Sequence, residues 1–258
     1  MRHRISLGVI LSCLALLPAA MSSLGATAQS AYDIVIYGGT SGGLVAGIQA
    51  RAMGKSVVVI EPTARMGGLT TGGLGQTDIG NKNVIGGLSR EFYRRIAEHY
   101  ADPAHWKWQD REAYPSVNPP GEDTMWKFEP SAALKVYQDW IAEVGLEVVC
   151  IERLNRDTGV EKSDGRIRTI TMESGRRFSG KMFIDATYEG DLLAAAGITY
   201  TVGRESNAQY GETYNGVQTR NARSHNFVPG VDPYVVKGDP SSGLLPFLDP
   251  TGPGKEGE

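Results

Sequence analysis

Seven residues near the start of the chain have the types and spacing to hold a phosphate ester. Gly38-Gly39-Thr40-Ser41-Gly42-Gly43 packs four glycines and two hydroxyls into one turn, and Glu61 follows 18 residues after Gly43. A helix that begins in such a turn presents unpaired N–H groups and a partial positive charge, which suits a pyrophosphate. Glycine lets the backbone approach the ligand because no side chain intervenes. A carboxylate at the end of the next strand accepts hydrogen bonds from ribose hydroxyls, and the dinucleotide fingerprint places it ~20 residues on. Aligned on Gly38 and Gly43, the pattern reads G-x-T-x-x-G, with Thr40 where the second glycine usually stands. Side chains that could serve as a general acid or base are His105, Tyr188, Glu189, Glu205 and His225. Each is equally explained as a structural or solvated group, and Glu189 and Asp191 suit the start of a helix for dipole reasons alone.

The elements that must position the turn are legible around it. Asp33 to Tyr37 is an apolar run of strand length, and Leu44 to Met53 is a helix of small residues ended by Gly54-Lys55. Ser56 to Ile60 is continuous and β-branched, as in a strand covered on both faces. The segment Pro62 to Gly75 contains two Gly-Gly pairs and Arg65, and its glycine content predicts a wrapping loop with no helix. Leu88, Phe92, Ile96 and Tyr100 recur every four residues, which predicts an amphipathic helix. Residues 101–127 lose all periodicity and read as an inserted loop, with four prolines and the aromatics Trp106, Trp108, Tyr114 and Trp126. Those rings are expected to pin the loop to the body, the alternative being a roof over a substrate. Pro130 suits a first helical position and Gly145 a helix end. Leu146 to Leu154 predicts a strand, and three short strands with turns follow as a meander ending in Lys181 to Ile184. Leu192 to Ala196 predicts a short helix and Ile198 to Arg204 a further strand; beyond Ser206 the chain is polar and turn-rich.

Bulk properties narrow the classes. The chain has 258 residues, 41% hydrophobic and 21% charged, enough for a sizeable core. Its net charge of -3 gives no basis for a nucleic-acid partner. Met1 to Arg4 is basic, Ile5 to Ala20 is apolar and too short to span a membrane comfortably, and Ala26-Thr27-Ala28 is a small-residue cleavage site. Residues 1–28 therefore read as a signal peptide, and the expected destination is outside the cytoplasm, periplasmic or extracellular, with no membrane partner beyond that signal. Cys150 is then the only cysteine of the mature chain. It allows no internal disulfide and no iron–sulfur or zinc cluster, so no metal site is expected, and its apolar strand predicts a buried small hydrophobe.

The motifs YDIVIYGGTSGG, VVVIEP with R-M-G-G-L after it, GGLTTGGLGQTD and FIDATYEGDLLAAAGI together resemble the FAD-dependent oxidoreductases with a glutathione-reductase-like FAD domain. Within these the chain is similar to an exported bacterial group, some of whose members are labelled xanthan-lyase-like. The resemblance runs from about Tyr32 to the end. It implies an α/β fold: a Rossmann-like FAD-binding domain over 32–197, with a parallel sheet, a β-meander crossover and the inserted loop, then the start of a substrate or cap region over 198–258. It implies FAD as cofactor, with the pyrophosphate at Gly38, Gly43 and the N–H groups of Thr40 to Gly42 (a turn that includes Gly39 and Ser41), and the adenosine ribose at Glu61. It places Arg65, Gly67 and Gly68 along the adenosine and pyrophosphate, Asp185, Ala186 and Thr187 close to the cofactor, and backbone near Val148-Val149 beside adenine. Family members continue well past this length, so the chain is expected to be an N-terminal fragment. The expected activity is hydride transfer from a small-molecule substrate, carbohydrate-related by that likeness, to flavin. Two other readings stay open: an NAD-dependent dehydrogenase on a simple Rossmann domain, which the meander argues against, and a nucleotide-binding fragment without activity.

Overall fold

Two consecutive β-branched strands make the centre of the molecule. The computed structural model describes residues 31–78, 80–114, 121–218 and 231–248, with Lys255 and Gly257. The expected signal peptide and His225 lie outside these described residues. Strand β1 (Tyr32–Tyr37) and strand β2 (Val57–Glu61) pair in parallel, joined by helix α1 (Ser41–Ala52). All five residues of β2 are buried, as its unbroken apolar run requires.

The chain then forms helices α2 (Gly68–Gly72), α3 (Gly87–His99) and α4 (Pro130–Val144) before returning to the sheet as β3 (Glu147–Cys150), parallel to β2. Pro130 opens α4 and Gly145 closes it in the left-handed region, φ 63. The meander follows as β4 (Val160–Ser163), β5 (Arg166–Thr171) and β6 (Arg177–Asp185). The sheet order is β3-β2-β1-β6-β5-β4. Strand β6 joins its two halves: its start pairs antiparallel with β5 (Thr171↔Arg177) and its end pairs parallel with β1 (Tyr37↔Asp185). The fold is thus the expected α/β architecture, a mostly parallel sheet with an antiparallel meander as the crossover.

Side chains alternate across the sheet and separate two cores. Ile36, Val57 and Val59 face Leu44 and Ile48 of α1, Phe92 and Ile96 of α3, and Tyr137 and Trp140 of α4. Val35, Tyr37, Val58 and Ile60 face Leu154, Ile170, Met172 and Phe178 of the meander side.

Five local expectations need correction. The Pro62–Gly75 segment is not all loop: α2 forms within it, because Thr71 Oγ1 donates to the Met66 carbonyl and Arg65 Nε donates to the Thr71 carbonyl (2.5 and 2.6 Å), closing a single turn. The strand expected over Leu146–Leu154 stops at Cys150, where Ile151 turns to φ 62. Cys150 itself is only half-buried. Ile198 to Arg204 carries β-branched residues but forms no strand and pairs with none among the described residues; Ile198, Tyr200 and Val202 are exposed. The inserted loop is pinned as expected through Trp106, half-buried, and Trp126, 4% exposed, but Trp108 is not part of that packing.

Candidate functional site

At the end of β1 the chain must reverse into α1 within a few residues, and the glycines make this possible. Gly38 lies at φ +104, and a Cβ there would stand 2.6 Å from the Ala186 carbonyl carbon and the Thr187 nitrogen. A Cβ on Gly43 would stand 2.0 Å from the Gly38 carbonyl oxygen. Gly42 differs: it is exposed, and a Cβ would find nothing nearer than Thr40 Oγ1 at 3.8 Å. The turn is therefore closed toward the sheet and open toward solvent. Thr40 has its own reason to replace the usual glycine. It is the N-cap of α1, its Oγ1 accepting from the Gly43 N–H (3.2 Å) and donating to the Ala186 carbonyl (2.8 Å). A glycine there would lose both bonds.

Glu61, at the end of β2, is 6% exposed. Its Oε2 accepts from the Gly39 N–H and its Oε1 from the Thr63 N–H, each at 2.8 Å. The carboxylate braces the glycine turn, and each oxygen keeps a lone pair for a further donor. The Gly67 N–H donates to the Gly39 carbonyl at 2.7 Å, which stitches the Arg65–Gly68 segment to the same turn. Ser41 Oγ lies 3.0 Å from the Gly67 carbonyl and 2.6 Å from Thr70 Oγ1, tightening that seam. Gly67 and Gly68 are demanded by neighbours within the chain: added Cβ atoms would meet Thr71 Cγ2 and Tyr188 Oη, both at 2.2 Å. The Tyr188 hydroxyl accepts from the Leu69 N–H (2.8 Å) and so bridges α2 to the segment after β6.

That segment is organised by Asp185. Its Oδ1 accepts from the Thr187 N–H and hydroxyl (2.9 and 2.7 Å), and its Oδ2 from the Leu193 N–H (2.9 Å), in helix α5 (Asp191–Ala195). Ala186 donates to the Tyr37 carbonyl at 2.8 Å. The three segments named from sequence therefore meet. Between them lies a cleft of about 410 Å³ whose walls include Gly38, Thr40, Glu61, Arg65, Gly68 and Thr187. Thr63, Gly72 and Tyr188 also line it. Sequence reasoning missed Thr63, whose signal would have been its place two residues after the acid. Of the proposed acid–base candidates, Tyr188 and Glu189 reach the cleft. His105 stacks on His99 with ring centroids 3.7 Å apart, and Glu205 accepts from Thr201 Oγ1.

The family model for FAD dependent oxidoreductases matches residues 33–243. The chain belongs to that family. FAD is accordingly its cofactor. No curated protein matches the chain. Among solved structures it is similar to the L-proline dehydrogenase from P. horikoshii, at 16% identity and TM-score 0.43, over 69% of this chain and 59% of that one. It is similar to the L-amino acid deaminase from Proteus vulgaris, at 17% identity and TM-score 0.43, over 68% and 58%. It is also similar to the flavin-dependent brominase Bmp2, at 19% identity and TM-score 0.45, over 66% and 41%. The chain thus spans less than two thirds of each of these structures.

The residues of this FAD dependent oxidoreductase family member fit the nucleotide end of the cofactor. Gly42 leaves the N-terminus of a 12-residue helix uncovered, and the cleft beside Glu61 is within the ~300–1,000 Å³ of small-molecule sites. Burial raises the Tyr37 phenol above its ordinary range, so it stays protonated while accepting from the Leu154 N–H at 2.9 Å. Burial, and then the Glu61 charge, raise the Cys150 thiol, which keeps it a thiol.

Proposed function

We propose that this chain is the nucleotide-binding part of an exported FAD-dependent oxidoreductase that takes a hydride from a small-molecule substrate. The observation that carries this is the Gly38–Gly43 turn, closed toward Ala186 and open at Gly42, with Glu61 braced against it. The N-terminus of α1 would take the pyrophosphate, with Gly42 as the point of closest approach. Glu61 would accept from the adenosine ribose with its free lone pairs while keeping the turn in shape. Arg65 would add positive charge on the cleft wall, which Thr187, oriented by Asp185, also lines. FAD when bound supplies the two-electron chemistry, and the protein supplies orientation and electrostatics. Tyr188 and Glu189 are the acid–base candidates that line the cleft. The basic-then-apolar leader with its Ala26-Thr27-Ala28 site supports export. A carbohydrate-related substrate is part of this reading and rests on the sequence resemblance.

The test is reconstitution. Purified full-length chain is loaded with FAD, desalted and examined for a visible flavin spectrum, with NAD as the parallel ligand. Retained flavin and a raised melting temperature with FAD, and neither with NAD, are expected. Retention of NAD in place of FAD, or of neither, would sink the proposal.

A further inference from the structure

Residues of the inserted loop line a second, half-open cavity of about 230 Å³, which shares no lining residue with the cleft beside Glu61. Three of its lining residues are buried: Tyr100, Met125 and Phe128 are 6, 6 and 7% exposed. Its wall is Trp106, whose Nε1 donates to the Tyr100 carbonyl at 2.8 Å and whose ring lies 5.3 Å from Tyr100 and 5.6 Å from Tyr114. Packing accounts for those rings. It does not account for Trp108, which lines the same cavity at 90% exposure and makes no ring contact among the described residues. Folding gains nothing from an indole held in water, whereas a ligand laid on it gains a large flat contact.

The charges on the cavity wall define what that ligand carries. Lys107 and Lys127 both line it, and neither has an ion-pair partner among the described residues. The carboxylate that reaches the lining, Glu129, accepts from Tyr100 Oη at 3.1 Å. The cavity therefore offers a guest one aromatic face and a net positive lining, two ammonium groups against the one Glu129 carboxylate. Its volume is just below the ~300–1,000 Å³ of small-molecule sites, which limits the guest to about one ring with its substituent.

We propose that this cavity binds a small ring compound bearing a carboxylate, its ring stacked on Trp108 and its carboxylate held by Lys107 and Lys127. An aromatic acid and a sugar acid both present this chemistry, the first through its π-face and the second through the C–H face of its ring. The site is independent of the cofactor reading, because none of its residues touches the cleft, so either can fail alone.

Tryptophan fluorescence of the full chain, without FAD, tests it with four probes: benzoate, glucuronate, and their neutral counterparts benzyl alcohol and methyl glucoside. Saturable quenching by at least one acid is expected, with its neutral counterpart at least about tenfold weaker, as for loss of a charge-assisted contact. Ligand-observed NMR gives the same affinities without relying on the indole. By that readout Trp108→Ala, at an exposed position, should keep the wild-type melt and weaken the acid about tenfold or more. The double variant Lys107→Gln/Lys127→Gln should bind acid and neutral counterpart alike. Benzoate alone assigns the site to aromatic acids, glucuronate alone to sugar acids, and both together to the shared chemistry. No saturable binding of either acid, equal binding of the neutral counterparts to the wild type, or wild-type affinity in Trp108→Ala would overturn the proposal.

Discussion

Gly42 and Gly43 are adjacent and identical, yet they answer to different constraints. A methyl on Gly43 would press on the Gly38 carbonyl at 2.0 Å, so Gly43→Ala should destabilise by ~1–3 kcal/mol through overpacking, measured by urea unfolding. A methyl on Gly42 meets open space, so Gly42→Ala should leave stability within ~0.5 kcal/mol of the wild type. It should nevertheless weaken FAD, because the methyl stands on the surface where the pyrophosphate would approach. Unchanged FAD affinity in folded Gly42→Ala would count against that placement. Glu61→Gln separates bracing from ligand binding in another way. Glutamine has one acceptor oxygen where the carboxylate has two, so either the Gly39 or the Thr63 N–H faces an amide donor. The buried, unpaired N–H should cost ~1–3 kcal/mol in urea unfolding even without cofactor. At this scale the glycines and Glu61 were readable from type and spacing. The double role of Glu61 was not, because spacing does not say which backbone groups a carboxylate meets on its own side of the turn.

Elements show where local pattern suffices and where it does not. Helices α3 and α4 were legible because period and terminators agree: Phe92 and Ile96 are buried on one, and Pro130 and Gly145 bound the other. Ile198–Arg204 has strand composition but no strand, since a strand needs a partner edge, and composition does not supply one. Helix α2 was missed for the opposite reason. Its glycines argue against a helix, but Thr71 bonds the Met66 carbonyl just before it, Arg65 bonds the Thr71 carbonyl within it, and together they hold the turn. The end of α3 carries a pH dependence. Burial lowers the His99 imidazole below its ordinary value of 6.5, and the positive charges of His105 and Lys135 add to this, against Glu129 and Asp139. The folded state therefore prefers the neutral ring. Stability from this site is complete above about pH 6.5 and falls as pH drops below it, because the unfolded chain takes up the proton first. His99→Gln should flatten the loss of urea midpoint between about pH 7 and about pH 5, and an unchanged slope would show that other groups govern it.

At the scale of the whole molecule, the sheet brings together segments that are distant in the chain. Strand β6 pairs with β1 and carries Asp185 to Thr187 against the glycine turn, so Thr40 bonds Ala186 across 146 positions. A ligand in the cleft touches three segments at once and should act on the global transition. FAD at about a hundred times its dissociation constant should add about 2.7 kcal/mol to unfolding, seen as one shifted cooperative melt. A melt that splits, or that does not move, would show that the three segments do not form one site. The sequence by itself determined the dinucleotide character of the molecule, because strand, glycine turn, helix, strand and acid are local and contiguous, and backbone chemistry at a helix N-terminus needs only that order. Only the tertiary structure decided which residues share a wall. Pairing of β6 with β1 set Thr187 in the same cleft as Glu61, Tyr188 came to bond Leu69, and the inserted loop half-buried Trp106 while leaving Trp108 in water. These outcomes follow from long-range register and packing, in which each residue's neighbours lie far away in the chain and local spacing carries no record of them.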